Sequence, residues 1–152
     1  MRCQIRPATV EDAAAISGLV IAALRSSNSQ DYPPEVIAEV EQSFAPEAVS
    51  AMLDKRKVFV AVYDEQIIGT ASLVGPVVRS VFVDPAYQSR GVGRQLMSVI
   101  HATAANAGIQ ALRVPSSITA EAFYITLGYQ KIRDEFHGVE RTIIMEKRLE
   151  DQ

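Results

Sequence analysis

The sequence predicts a single α/β domain of the α+β type, covering residues 1–152. Helical and alternating apolar patterns occur in separate stretches along the chain, in the order βααα-βββ-α-β-α-ββ. The length of 152 residues is close to that of one domain, and 48% apolar with 22% charged residues is ordinary globular composition. We therefore expect one continuous core that needs no disulfide.

The N-terminal region reads as a strand followed by a long helix. Residues 2–6 alternate and stop at Pro7, which is typical of a short edge strand. Residues 9–27 place their apolar side chains on one helical stripe, and Thr9 stands three residues before Asp12, as in a capping box. This stretch predicts an amphipathic helix.

Two short helices and three strands follow. Residues 33–44 and 46–56 each have proline near their start, which favours a helix N-terminus. The period then changes to alternation in 58–63, 66–74 and 77–83, with turn residues between these runs. Three consecutive strands predict an antiparallel meander.

The C-terminal half continues with a helix after a glycine turn, which Gly108 is placed to end. Residues 111–114 read as a short strand, and the next helix has Ser117 as its possible cap and Gly128 as its end. The chain closes with a predicted hairpin of two strands, 130–136 and 141–149.

Charge and cysteine content exclude several classes of partner. The net charge is −3 with a pI near 5.4, so the basic surface that duplex nucleic acid requires is missing. Cys3 is alone, no apolar run is long enough to span a membrane, and no signal segment is visible. His101 has no partner at ligand spacing, so no metal site is expected. We expect a cytoplasmic protein without nucleic acid or membrane partners.

A glycine turn, QSRGVG at 88–93, joins the third strand of the meander to a helix. Free backbone N–H groups and the helix dipole favour phosphate at such a turn. A nucleotide P-loop needs Lys and then Ser or Thr after the second glycine, whereas Arg94 follows Gly93. A dinucleotide site would place Gly or Ala at Leu96 and an acidic residue on strand 111–114, and both are absent.

The turn, with VDP before it and QLM after it, resembles motif A of the Gcn5-related N-acetyltransferase (GNAT) family, which holds the pyrophosphate of coenzyme A. Residues 117–129, SITAEAFYITLGY, resemble motif B of the same family. The chain's first strand and its last strand also look like those of the family. The positions that match motif B are Ala120, Phe123, Tyr124, Leu127, Gly128 and Tyr129.

The resemblance implies a central, strongly twisted, mixed and mostly antiparallel sheet flanked by helices. Strands 77–83 and 111–114 are expected to splay apart, and Pro115 is consistent with an early end of the second strand. The pantetheine of acetyl-CoA would lie in the gap and pair with free N–H and C=O groups around Phe82 and Val83. No metal is implied.

Further cofactor contacts are implied at the two motifs. One departure concerns the position where many relatives carry Asn and this chain carries Ser. The expected contacts, besides those of the splayed strand, are Gln88, Ser89, Arg90, Gly91, Val92, Gly93, Arg94, Ser117 and Phe123.

The resemblance implies an enzyme that moves an acetyl group from acetyl-CoA to a primary amine by direct attack in a ternary complex. A backbone N–H near Val83 would stabilise the oxyanion, and Tyr124 matches the family tyrosine that faces the thioester sulfur, where a phenol can act as general acid. Because Phe123 and Tyr124 are adjacent, they point to different sides, so both can hardly be core.

The general base is open. Many relatives use a Glu on the strand before motif A, but this strand has no carboxylate. The alternatives are Glu121, Asp31, Glu35, His137 or a bound water. Specificity for a small-molecule or peptide amine is expected to lie in residues 25–50 and in the last hairpin.

Two rival functions remain. A non-catalytic acyl-CoA-binding sensor or interaction module of the same fold is favoured by the missing strand carboxylate and by Ser117, whereas Tyr124 favours the enzyme. An NAD-binding oxidoreductase would require a parallel sheet. A homodimer is a further open expectation.

Overall fold

The computed structural model describes residues 1–149, so residues 150–152 of the predicted domain lie outside it. Its helices and strands follow the predicted order. They are β1 (Gln4–Pro7), α1 (Ala13–Ser26), α2 (Pro34–Gln42), α3 (Pro46–Leu53), β2 (Lys57–Tyr63), β3 (Gln66–Val74), β4 (Val77–Val83), α4 (Val92–Asn106), β5 (Ala111–Ser117), α5 (Glu121–Thr126), β6 (Gln130–His137) and β7 (Glu140–Arg148).

All these strands form one sheet in the order β1-β2-β3-β4-β5-β7-β6. Every neighbouring pair is antiparallel except β4 and β5, which are parallel and share a single register pair, Val77 with Arg113. The predicted mixed, mostly antiparallel sheet and the splay of these two strands are confirmed. The parallel sheet that an NAD-binding fold requires is absent from residues 1–149.

The predicted meander β2-β3-β4 is confirmed. The sequence did not reveal the backbone angles of its first turn or the bulge in its last strand. Asp64 and Glu65 both have positive φ, 51° and 63°, as a tight two-residue hairpin turn requires. In β4, the register with β3 shifts next to Ser80, whose φ is 56°. This bulge bends β4 and increases its local twist.

Helices cover the two faces of the sheet unequally. On one face, Leu96, Met97 and Ile100 of α4 are fully buried against strands from β3 to β7. On the other face, α1, α2 and α3 form a second apolar cluster whose strand residues come from β2, β3 and β4. The strands β5, β7 and β6 contribute nothing to that cluster, so their second face borders the open cleft described below.

The predicted end of the fifth strand, at residue 114, is wrong. β5 passes through Pro115 and ends at Ser117. The Arg113 N–H donates to the Pro76 carbonyl on the β4 side at 2.9 Å, and backbone groups alternate along a strand. The nitrogen of Pro115 therefore faces the gap and not β7, so its missing N–H costs no ladder hydrogen bond.

The predicted cap of the last helix is also wrong. α5 is only Glu121–Thr126, and its N-cap is Ala120. The Ser117 Oγ instead accepts from the Ala120 N–H at 3.1 Å, so it orders the turn between β5 and α5. Glycine ends the helical region as predicted, because Gly128 has φ of 93°.

The capping box at the start of the helical region is confirmed. The Thr9 N–H donates to Asp12 Oδ2 at 2.8 Å, and Arg6 of β1 donates to both oxygens of Asp12 at 2.8 and 3.0 Å. Asp12 is buried, and its hydrogen bonds from Arg6 hold the pKa of this carboxyl below its ordinary value of 3.8. This cluster joins the edge strand to the first helix.

Replacing Asp12 with Asn is expected to destabilise the fold by about 1–3 kcal/mol at neutral pH, because donors of Arg6 and Thr9 lose a charged acceptor. The folded-state pKa is depressed, so this stabilisation is present above the ordinary carboxyl pKa and disappears as pH falls through the lower folded value. Urea unfolding of both proteins should therefore show a gap in stability that narrows in acid.

The exposed Asp54, which makes no side-chain hydrogen bond or ion pair with residues 1–149, supplies the control. Asp54→Asn should change stability by less than about 0.5 kcal/mol. A gap for Asp12→Asn that stays constant from neutral to strongly acidic pH would contradict the assignment to the ionised carboxylate.

Candidate active site

The splay between β4 and β5 opens into a cleft of about 1190 Å³. Its walls come from β4, β5, the turn before α4, the start of α5, the α1–α2 segment and the β6–β7 hairpin. This volume is at the upper end of small-molecule sites, so both a long cofactor and a second substrate have room. The cleft is the candidate active site.

The turn before α4 exposes a row of backbone donors. Ser89 and Gly91 both adopt left-handed conformations, with φ of 62° and 86°. Within residues 1–149, no group accepts a hydrogen bond from the N–H groups of 89–94, and α4 begins at Val92. Successive free N–H groups at a helix N-terminus form an anion-binding concavity. The predicted phosphate site therefore has the geometry it needs.

The two glycines of this turn serve different purposes. Gly91 is required by its positive φ, and a Cβ there would meet nothing within 4 Å. Gly93 has no such φ, but a Cβ at this position would lie 3.0 Å from Cζ of Phe123. Gly93 thus lets the Phe123 ring, which also lines the cleft, pack directly on the first turn of α4.

Gln88 is engaged within the protein. Its Nε2 donates to the Val83 carbonyl at 3.2 Å and to Ser27 Oγ at 3.0 Å. The Val83 carbonyl therefore already accepts one side-chain hydrogen bond, and the pairing of pantetheine with N–H and C=O groups around Phe82 and Val83 stays a prediction. This contact links the end of β4 to the end of α1.

The Val83 N–H faces the gap. The Asp84 N–H donates to the Ile68 carbonyl of β3 at 2.8 Å, and successive N–H groups of a strand point in opposite directions. Phe82 packs between helices and sheet, where its ring meets Phe44 edge-on at 5.6 Å. Both residues line the cleft, and Val83 presents a backbone donor to it.

The two arginines of the turn differ in position. Arg94 is exposed and lines the cleft. Arg90 is not among the lining residues, and its guanidinium carbon lies 5.9 Å from the centre of the Tyr87 ring. Of the predicted pair, the structure brings only Arg94 to the cleft. Ser89, Val92 and Ser117 line it as expected.

Tyr124 lies at the inner wall of the cleft and is only 3% exposed. Its ring packs edge-on against Phe123 and Tyr129, with centroids 5.2 and 5.4 Å apart. Burial, and then the neighbouring Tyr129, raise the pKa of Tyr124. The Tyr124 hydroxyl makes no hydrogen bond with any described residue, whereas the Tyr129 hydroxyl pairs with His101 Nε2 at 2.8 Å.

The adjacency argument for Tyr124 therefore needs correction. Phe123 and Tyr124 do not face opposite sides of the fold, because both line the cleft and their rings touch. The short α5, which ends after Thr126, allows both side chains to reach the same space.

The candidate bases differ in whether they line the cleft. His137 lines the cleft. Asp31 accepts from Thr119 Oγ1 at 2.8 Å and, like Glu35 and Glu121, is not a lining residue. The structure thus brings one of the predicted side chains into the cleft.

Sequence reasoning missed several lining residues. Glu135 and Glu140 come from the hairpin, and alternation along its strands was the signal that could have placed them beside His137. Arg79 interrupts the apolar run of β4 and faces the cleft. The Tyr32 hydroxyl accepts from the Ile118 N–H at 2.8 Å and donates to the Arg141 carbonyl at 2.7 Å. No sequence pattern marked Tyr32.

No helix in residues 1–149 is long and apolar enough to cross a membrane. The same range contains no group of three or more His, Cys, Asp or Glu side chains that could hold a metal ion.

Known proteins resemble the chain in sequence and in fold. An uncharacterized N-acetyltransferase of Escherichia coli K12, YafP, is 29% identical over 135 residues, which are 87% of this chain and 84% of YafP. The crystal structure of a GCN5-related N-acetyltransferase from Rhodopseudomonas palustris superposes with a TM-score of 0.93 at 24% identity, covering 98% of this chain and 97% of that one.

A second structure was solved with coenzyme A. It is the PaiA N-acetyltransferase of Thermoplasma acidophilum, with a TM-score of 0.82 at 17% identity, covering 97% of this chain and 99% of that one. The sequence model of the acetyltransferase (GNAT) domain matches residues 28–149, which include both motifs and the whole cleft beyond α1. The chain therefore belongs to the GNAT family of acetyltransferases.

Proposed function

We propose that the protein transfers an acetyl group from acetyl-CoA to a primary amine by direct attack in a ternary complex. The observation that carries this proposal is the single continuous cleft that joins the free N–H groups of 89–94 to the unpaired hydroxyl of Tyr124. Anion binding at one end and a proton donor on the inner wall are the two features that acyl transfer from a thioester needs.

The cofactor half of the cleft fits coenzyme A. The N–H groups of 89–94 and the Arg94 guanidinium would hold the pyrophosphate, and the Val83 N–H would face the acyl end. When bound, acetyl-CoA would supply the thioester that is cleaved. The coenzyme A bound by the T. acidophilum relative supports the same ligand for this chain.

Tyr124 is suited to the departing sulfur. A phenol is protonated at neutral pH at its ordinary pKa, and burial raises the pKa of Tyr124 further, so the hydroxyl can donate a hydrogen bond or a proton. The Val83 N–H is free to donate to the carbonyl oxygen of the transferred group. An alkyl amine with a pKa near ~10.4 must lose a proton before it attacks. His137 or a bound water would accept that proton.

Replacing Tyr124 with Phe tests the acid. The ring and its packing stay, so affinity for acetyl-CoA should barely change, while kcat should fall by roughly 10²- to 10⁴-fold. Steady-state rates under conditions where chemistry limits turnover, with calorimetry for binding, give both quantities.

Tyr129→Phe is the matched control, because that hydroxyl lies in the same aromatic cluster but pairs with His101. It should keep kcat within about threefold of wild type. If Tyr124→Phe loses no more activity than Tyr129→Phe, Tyr124 is a structural residue.

The two arginines of the turn provide a test of the phosphate site. Arg94→Ala should weaken coenzyme A binding several-fold, and the loss should shrink as salt is raised, because an exposed charge is screened. Arg90→Ala should change affinity little, because its guanidinium lies over Tyr87. Titration calorimetry at two salt concentrations measures both. Equal losses for the two variants would contradict the placement of the pyrophosphate.

A non-catalytic acyl-CoA-binding module is the second candidate. The absence of a carboxylate on β4, where Arg79 faces the cleft, favours it. Release of free thiol from acetyl-CoA in the presence of a panel of amines separates the two functions. Tight coenzyme A binding without amine-dependent thiol release would select the binding module.

A further inference from the structure

Two arginines beside the first half of β4, of which only Arg79 lines the cleft, have no carboxylate partner within the described part of the chain. Arg79 is exposed, lies on β4 and lines the cleft. Arg56 precedes β2 and is half-buried, and its Nη1 donates to Ser80 Oγ at 3.1 Å. Neither guanidinium belongs to any ion pair of residues 1–149.

Apart from Arg94 of the anion-binding turn, the other arginines that line the cleft are paired with a carboxylate. Arg113 Nε lies 3.0 Å from a Glu146 oxygen, and Arg133 Nη2 lies 2.7 Å from a Glu135 oxygen. Arg56 and Arg79 have no such carboxylate partner, and their two positive charges repel each other. The pKa of Arg56 is lowered, first by burial and then by the positive charge of Arg79. An anion between them would offset both the burial and the repulsion.

The location of this pair suits the second substrate and not the pyrophosphate. Arg79 precedes Val83 by four residues on β4, which corresponds to roughly 13 Å of strand, and the bulge at Ser80 lies between them. The anion-binding turn of 89–94 lies beyond Val83, at the other end of β4.

We propose that Arg79 and Arg56 form a binding site for an anionic group, and that the amine acceptor carries this group on the same molecule. The second part rests on the proposed acetyl transfer, whereas the site itself does not. A guanidinium recognises carboxylate and phosphate with the same planar donors. The acceptor class is therefore a primary amine that bears a carboxylate or a phosphate.

Matched acceptors test the substrate class. The pairs are β-alanine with propylamine and O-phosphoethanolamine with ethanolamine, and 1,3-diaminopropane carries the opposite charge. In at least one pair the anionic member should have kcat/KM about 10-fold higher or more than its neutral-tailed partner. The pair that shows the preference tells carboxylate from phosphate.

The variant Arg79→Met keeps an unbranched apolar side chain without the charged guanidinium. It should abolish the preference, because kcat/KM for the anionic member should fall to about that of its neutral-tailed partner measured with the same variant. Arg148→Met, on the exposed end of β7, should leave the preference intact. Equal kcat/KM within each pair, or a preference for 1,3-diaminopropane, would overturn the proposed acceptor class.

A binding measurement without turnover tests the site alone. The Nε–Hε NMR signals of Arg56 and Arg79 are followed during titration with acetate and with inorganic phosphate, at constant ionic strength adjusted with sodium chloride. Saturable shifts should occur at both arginines and not at Arg148, and Arg79→Met should remove the shift at Arg56. Shifts no larger than that of Arg148 would overturn the site, whatever the protein acetylates. Saturable shifts in a protein that acetylates none of the amines would instead count against the proposed function.

Discussion

The single register pair between β4 and β5 is the constraint on which the rest of the molecule depends. Val77 and Arg113 hold the two parallel strands together at one end, and beyond this point each strand keeps only its outer partner. Backbone groups that would be buried in a continuous sheet therefore face a cleft. A sheet interrupted in this way loses ladder hydrogen bonds in its middle, and that loss is tolerable only where water or a ligand can satisfy the freed groups.

Several unusual backbone conformations lie next to the gap between β4 and β5. Ser80 and Ser89 both adopt left-handed backbone angles that non-glycine residues rarely take, each at a cost of order 1–3 kcal/mol. One lies at the bulge of β4 and the other begins the row of free N–H groups. Proline at position 115 has no N–H to offer the gap, so one wall of the cleft carries fewer donors than the other. Two left-handed serines and a missing donor thus lie at the cleft, while the two apolar clusters supply the stability around it.

The sequence allowed the meander, the helix α4 and the final hairpin to be predicted closely, because their apolar periods and turn residues are local signals. The fate of residues 114–121 could not be predicted, since Pro115 is tolerated inside a strand only because that side of β5 has no partner. This condition depends on a distant strand. The roles of Gln88 and Tyr32 were hidden for the same reason: each acts through hydrogen bonds to residues far along the chain. Arg79 was visible as a break in an apolar run, but the sequence could not show that this residue lines the cleft.

Tyr32 also constrains how this protein can diverge from its relatives. Its hydroxyl connects the α1–α2 segment to the turn before α5 and to β7, so three separate parts of the chain share one hydrogen-bonding centre. A chimera that received only the helical segment of another family member would lose this centre unless the donor also carried a tyrosine there. The partly buried Ile118 N–H and Arg141 carbonyl would then lose this partner. Exchange of substrate specificity by recombination should therefore succeed only when the helical segment and the C-terminal hairpin are inherited together.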